Sequence, residues 1–186
     1  MDFEKVLPLI IQEFGKEKIH YGLIGGFAMG AMGIMRSTMD LDFLIDGGDL
    51  EKVAKIMRKY GYNCAHKSRD VSQYVAAAKI FGEIDFLHAL RPVSRAMLAR
   101  SKALMTLEGR LKLKVLIPED IIGLKVQALA NNPLRETREY ADIEHIMDYF
   151  GARLDWGLLR RHFLLFEMQE KFKELRKKYG GAKQKS

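Results

Sequence analysis

A chain of 186 residues suits one domain with room for a helical appendage, and its 48% hydrophobic content is enough for a sizeable core. A single cysteine, Cys64, excludes an internal disulfide framework and fits a reducing compartment. The formal charge of +7 suggests nucleic acid only until it is located: residues 171–186 hold seven Lys or Arg against one Glu, and the other 24 basic and 23 acidic residues nearly cancel. The body is neutral. Its basic tail would either touch RNA or another polyanion, or serve as a solubilising terminus. The start, Met1-Asp2-Phe3-Glu4-Lys5, lacks the basic region of a secretory signal. Ile19 to Met35, the longest nearly charge-free run, falls short of the roughly 20 apolar residues of a membrane span. A soluble, cytoplasmic chain without a membrane partner is expected, with Cys64 as a small core residue.

In chain order, Phe3, Val6, Leu7, Ile10, Ile11 and Phe14 recur at helical spacing and predict an amphipathic helix over 2–16. Ile19 to Ile24 reads as a short buried strand. Gly25-Gly26 then allows close backbone approach to a ligand, and a helix from Phe27 to Ile34 would aim its first amides at a phosphate. These glycines match neither the G-x-G-x-x-G fingerprint nor a Walker loop, which demotes both of those phosphate-binding classes. A second strand carries Asp40 and Asp42, whose i, i+2 spacing puts both on one face, with Leu41, Phe43, Leu44 and Ile45 toward the core. Two carboxylates held that close repel unless a cation or proton lies between them. An all-oxygen pair of this kind suits Mg²⁺ or Mn²⁺, which also takes ligands from substrate phosphates.

The strand ends near Ile45, with Asp46-Gly47-Gly48 as a turn. A helix with Val53, Ile56 and Met57 inward follows, then strands over 62–66 and 73–80 around the polar loop 67–70. Asp85 is a lone carboxylate in the apolar strand Gly82–Leu87, where charge is costly unless paired; Glu83 shares its face, and His88 borders it or is simply structural. A hairpin is expected from 101–107 and 111–115 around Glu108-Gly109-Arg110. Pro118-Glu119-Asp120 opens a helix with Ile121, Leu124, Lys125 and Ala128 on one stripe, so Lys125 needs a partner. Further helices are expected at about 135–150, with Ile143, Ile146, Met147 and Phe150 inward and Asp142 at the margin, and at 155–166 and 166–179, with Trp156, Leu159, Phe163 and Phe166 as core.

Gly25-Gly26 followed by Arg36-Ser37-Thr38-Met39-Asp40-Leu41-Asp42 resembles the signature of the nucleotidyltransferase superfamily, in particular its minimal, AbiEii-like (type IV toxin-like) and antibiotic-nucleotidyltransferase-like branches. The resemblance spans 19–45 and extends to Asp85 and to 116–147. It implies an α/β (α+β) chain with the minimal nucleotidyltransferase fold: a small mixed sheet flanked by helices, followed by a helical C-terminal segment. The expected organisation is a core over 1–116, a helical segment over 117–180 and a basic tail over 181–186.

By the same resemblance the chain is a metal-dependent nucleotidyltransferase moving an NMP group from an NTP to a hydroxyl on RNA, a protein or a small molecule. Asp40 and Asp42 would hold the metal, and Asp85 would complete the site as a third carboxylate and help deprotonate the acceptor. Gly25 and Gly26 would cradle the phosphates, Arg36 would offset charge on the leaving pyrophosphate, and Thr38 would fix the turn before the strand. Lys125 would contact nucleotide phosphates with Asp142 orienting it; read from the residues alone, the two are equally a buried pair between helices. An AbiEii-like chain would also have a cognate antitoxin as partner. The alternative is a nucleotidyltransferase fold kept as a binding or regulatory module without turnover.

Overall fold

The computed structural model describes residues 1–107, 109–132, 134 and 136–181. The tail from Ala182 on, with Lys183 and Lys185, lies outside the described residues, as do Glu108 at the hairpin tip and Arg135 at the start of the expected helix. The chain divides into two compact units between Leu116 and Ile117.

In the first unit α1 (Phe3–Lys16) buries Val6, Leu7, Ile10 and Phe14, and the Asp2 side chain caps it by accepting from the Lys5 amide. Then come β1 (Tyr21–Ile24), α2 (Gly25–Ala31), β2 (Leu41–Asp46), α3 (Leu50–Lys59), β3 (Tyr62–Lys67), β4 (Val71–Ala76), β5 (Glu83–Ala89), α4 (Pro92–Arg100), β6 (Lys102–Thr106) and β7 (Leu111–Val115). The strands form one mixed sheet in the order β3-β4-β5-β2-β1-β7-β6, parallel at β2–β5 and β1–β7 and antiparallel elsewhere.

Alternation decides what each face carries. Phe43 of β2 pairs in register with Phe86 of β5, their rings stacked 5.8 Å apart, and Phe14 closes on Phe43 edge-on at 5.4 Å. Tyr74 meets Phe86 at 5.7 Å, which extends the cluster onto β4. Fully burying each phenyl ring contributes about 1.5–3 kcal/mol. The neighbours in sequence, Asp42 and Asp85, therefore project from the opposite face.

Several expected boundaries shift. The first strand starts at Tyr21 rather than Ile19, whose amide still closes the end of α1 on Phe14. The helix after it begins at Gly25 and ends at Ala31, so the glycines are its first residues and not a turn ahead of it. Asp40 sits in the bend before β2 and not within the strand. Asp46 both ends β2 and accepts from the Gly48 amide at 2.8 Å. The strand expected over 73–80 runs from Val71 to Ala76, because a turn intervenes in which the Phe81 amide bonds to Ala78. Cys64 is exposed rather than core, since β3 is the sheet's edge strand and all its residues beyond Tyr62 face solvent. Helix α4 has no counterpart in the sequence reading; Pro92 in its first turn and the Ser94 hydroxyl against Arg91 start it.

The second unit is helical: α5 (Pro118–Asn131), α6 (Glu136–Phe150), α7 (Trp156–Leu165) and α8 (Gln169–Tyr179). On α5 the buried apolar side chains are Ile121, Ile122, Val126 and Leu129, which turns the expected stripe so that Lys125 stays buried while Leu124 and Ala128 are only half-buried. Ile143, Ile146 and Met147 are buried on α6 as expected, and Phe150 is half-buried. Leu159 and Phe163 are core, whereas Trp156 and Phe166 are half-buried. The His162 ring on α7 meets Asp120 of α5 at 3.0 Å. Only glycine fits at 123 beneath that ring, since a Cβ there would lie 2.8 Å from its Cγ.

Lys125 reaches two carboxylates of α6, Asp142 Oδ2 at 2.6 Å and Glu139 Oε2 at 3.0 Å, and all three groups are buried. Asp142, expected at the margin, is 4% exposed. Removing one partner from a buried charge cluster is more costly than the cluster's net contribution. Lys125→Met, which takes away the cation both carboxylates share, is therefore expected to destabilise the chain by about 3 kcal/mol. The measurement is the urea midpoint at unchanged m-value. Adding Glu139→Gln and Asp142→Asn to that variant should restore most of the loss.

Candidate functional site

The Gly25-Gly26 step joins β1 to α2 and lies against the end of β2. Gly25 has φ +68°, and a Cβ there would stand 1.9 Å from Asp42 Oδ2. A Cβ at Gly26 would stand 2.8 Å from Thr38 Cβ. Both glycines are thus required by the acidic loop packed over them. Thr38 Oγ1 donates to Asp40 Oδ1 at 2.6 Å, so a hydroxyl fixes the carboxylate just before it enters the strand. Arg36 donates to the carbonyl of Ser37 and leans toward Gly26.

Asp42 pairs in register with Asp85 on the adjacent parallel strand, which puts the two carboxylates side by side on the open face. Asp85 Oδ1 is buried and has no hydrogen-bond partner among the described residues. Burial, then the negative charges of Glu83 and Asp40, push the Asp85 carboxyl up to about 6. Asp40 is thus near enough to act on the Asp85 carboxyl, and Asp42 meets Asp85 through the strand register. Glu83, on the same face, accepts from the Gln73 amide of β4, and Gln73 is itself the register partner of Asp85. His88 lies on the other face, its ring nitrogens bonded to Ser72 Oγ at 3.0 Å and to the Arg69 carbonyl at 2.7 Å, and is structural. Lys125 belongs to the second unit, where it makes the ion pairs described above.

The donor set is all carboxylate oxygen, with one buried oxygen lacking a partner, and this fits a hard divalent cation. Among the described residues no three His, Cys, Asp or Glu side chains stand close enough to cage an ion by themselves. Mg²⁺ rarely needs such a cage, because substrate phosphates and water complete its shell. Gln73 was not legible in the sequence: its place beside Asp85 follows from the β4–β5 register, for which an isolated polar residue in a strand carries no signal.

No protein-family model matches the chain, and no curated protein matches it by sequence. Solved structures do. The antibiotic-resistance factor ANT(2'')-Ia, in its solution structure, superposes with a TM-score of 0.64 at 14% identity, over 96% of this chain and 99% of that one. An antigenic nucleotidyltransferase-like protein from Paracoccidioides brasiliensis gives 0.57 at 15% identity, over 95% and 92%. The lincosamide antibiotic adenylyltransferase LnuA, bound to lincomycin, gives 0.51 at 19% identity, over 77% and 95%. Likeness at such low identity is likeness of fold, and together with the seven-stranded mixed sheet it shows that this chain has the nucleotidyltransferase fold.

Proposed function

We propose that the chain is a metal-dependent nucleotidyltransferase that moves an NMP group from an NTP to a hydroxyl acceptor. The observation that carries this reading is the register pairing of Asp42 with Asp85, the latter holding a buried oxygen without a partner, beside Asp40 and the Gly25-Gly26 step. Asp40, Asp42 and Asp85 would hold Mg²⁺ or Mn²⁺. The chemistry that such an ion supplies when bound is neutralisation of the triphosphate and polarisation of the phosphoryl group.

The chain's own residues would do the rest. The Gly25 and Gly26 amides, first in α2, face the donor phosphates, and Arg36 offsets charge on the pyrophosphate as it leaves. Thr38 holds Asp40 in place through its 2.6 Å hydrogen bond. Asp85 would take the proton of the acceptor hydroxyl as the hydroxyl oxygen bonds to the α-phosphorus and the bond to the β-phosphate oxygen breaks. Lys125 would serve the phosphates only by exchanging one of its carboxylates for a phosphate oxygen, with Asp142 orienting it. ANT(2'')-Ia and LnuA, as antibiotic-resistance and lincosamide enzymes, favour a small hydroxylated acceptor, while the AbiEii-like motif extends the reading to a toxin with a cognate antitoxin.

The test is isothermal titration with each of the four NTPs, with Mg²⁺ or with EDTA, on wild type and the Asp40→Asn/Asp42→Asn variant. Binding of at least one NTP that needs both the metal and the aspartates is expected. Binding indifferent to EDTA and to the double substitution would overturn the metal site.

A further inference from the structure

Helices α7 and α8 enclose a groove of about 840 Å³ whose floor is the exposed Leu164 beside the largely buried Phe163 and Phe172, with Arg160, Lys173, Arg176 and Lys177 around it. That volume lies within the range of ligand pockets. The cations of α8 that lie away from the groove are engaged. Lys178 is held by Glu144 at 2.6 Å, and Lys171 lies over the Tyr140 ring at 4.5 Å. At the groove the one carboxylate, Glu170, is taken by Lys173 at 2.8 Å. Arg160, Arg176 and Lys177 are exposed and have no ion-pair partner among the described residues. Three uncompensated cations thus surround one concave, apolar-floored cavity. Around it, residues 156–181 carry seven Lys or Arg against three Glu.

We propose that this groove binds the sugar–phosphate backbone of a single-stranded polynucleotide. Cations on two walls can follow a flexible phosphate chain, and the apolar floor accepts unstacked bases, a combination that serves single strands without sequence preference. A duplex keeps its bases stacked inside and has nothing to place on such a floor. An acidic peptide would match the charges but would not use the floor. The inference rests on the groove alone and does not depend on the transferase reading.

The experiment is fluorescence anisotropy of a labelled 12-nucleotide oligouridylate with the full chain over a series of salt concentrations. Three proteins are compared with wild type: the groove variant Arg160→Gln/Arg176→Gln/Lys177→Gln, a control Lys102→Gln/Lys112→Gln/Lys114→Gln that removes equal charge from the exposed hairpin, and Asp42→Asn. Circular dichroism verifies the fold of each. Losing three phosphate contacts should weaken binding at least tenfold and reduce the log–log salt slope by about 2, at roughly 0.7 per contact for single strands. The control should lose less than threefold, and Asp42→Asn nothing. Equal losses in groove and control variants, or no loss in the groove variant, would overturn the proposal. So would oligoglutamate of matched charge competing as well as unlabelled oligouridylate.

Discussion

Asp42→Asn is expected to lower nucleotidyl transfer by about a thousandfold while leaving the thermal midpoint nearly unchanged. The magnitude is the upper end of what losing one electrostatic contact to a phosphoryl transition state costs. The fold should survive because asparagine has nearly the shape of aspartate. The space beside Gly25, where a Cβ would stand 1.9 Å from Asp42 Oδ2, admits that shape and little more. Asp42→Glu keeps the charge but presses an extra methylene toward Gly25, so it should fail as well, with some loss of stability. Asp40→Asn should fall similarly in rate, and its Oδ1 can still accept from Thr38. Transfer is read as radiolabelled NMP carried into acceptor, with pyrophosphate release as the second measure. A rate for Asp42→Asn within tenfold of wild type would remove the aspartates from the mechanism.

Asp85→Asn should separate activity from stability. With the carboxyl pushed up to about 6 by burial and by its acidic neighbours, the folded chain binds the proton more tightly than the unfolded chain does. Stability from this group is therefore fully present below pH 3.8, is lost as pH rises, and is gone above about 6. At pH 8 the wild type bears the full penalty of an ionised Asp85, and asparagine bears none. Because the carboxyl is only half-buried and solvent screens it, the expected gain is about 1–2 kcal/mol, or roughly 3–6 °C in a chain of this size. Near pH 4 the two proteins should melt together. The rate of the variant should fall by about 10²–10⁴, the usual worth of a positioned acid–base group. Wild-type transfer should decline at low pH, where Asp85 takes up its proton and can no longer accept one from the hydroxyl. A variant less stable than wild type at pH 8 would show that Asp85 is paired in solution and not strained.

The motif-bearing residues were legible because their chemistry is written in short spacings. Gly25-Gly26, Thr38, Asp40 and Asp42 lie within eighteen positions, and the alternation of Asp42 with Leu41 and Phe43 gives the strand two unlike faces. Helices α1, α3 and α5 announce themselves by periodicity or by proline and acids at the start. Less was legible where edge position or packing overrides pattern. Cys64 is solvent-facing because β3 ends the sheet, and no local sequence distinguishes an edge strand from an inner one. Helix α4 was missed because its apolar residues follow no clear stripe and only Met97 is buried.

By itself, then, the sequence determined the resemblance, the paired glycines ahead of the acidic loop, and the presence of a third aspartate in an apolar strand; that Asp42 and Thr38 make those glycines obligatory came from the packing. Tertiary structure alone decided that Asp85 stands opposite Asp42, since a parallel register is fixed by the pairing of strands about forty residues apart and one residue of slip would turn Asp85 to the other face. It also decided the fate of Lys125, whose partners Glu139 and Asp142 come from a different helix. The charges around α7 and α8 are visible in the chain, but their convergence on one groove is not, because helix packing and not spacing sets which face each one shares.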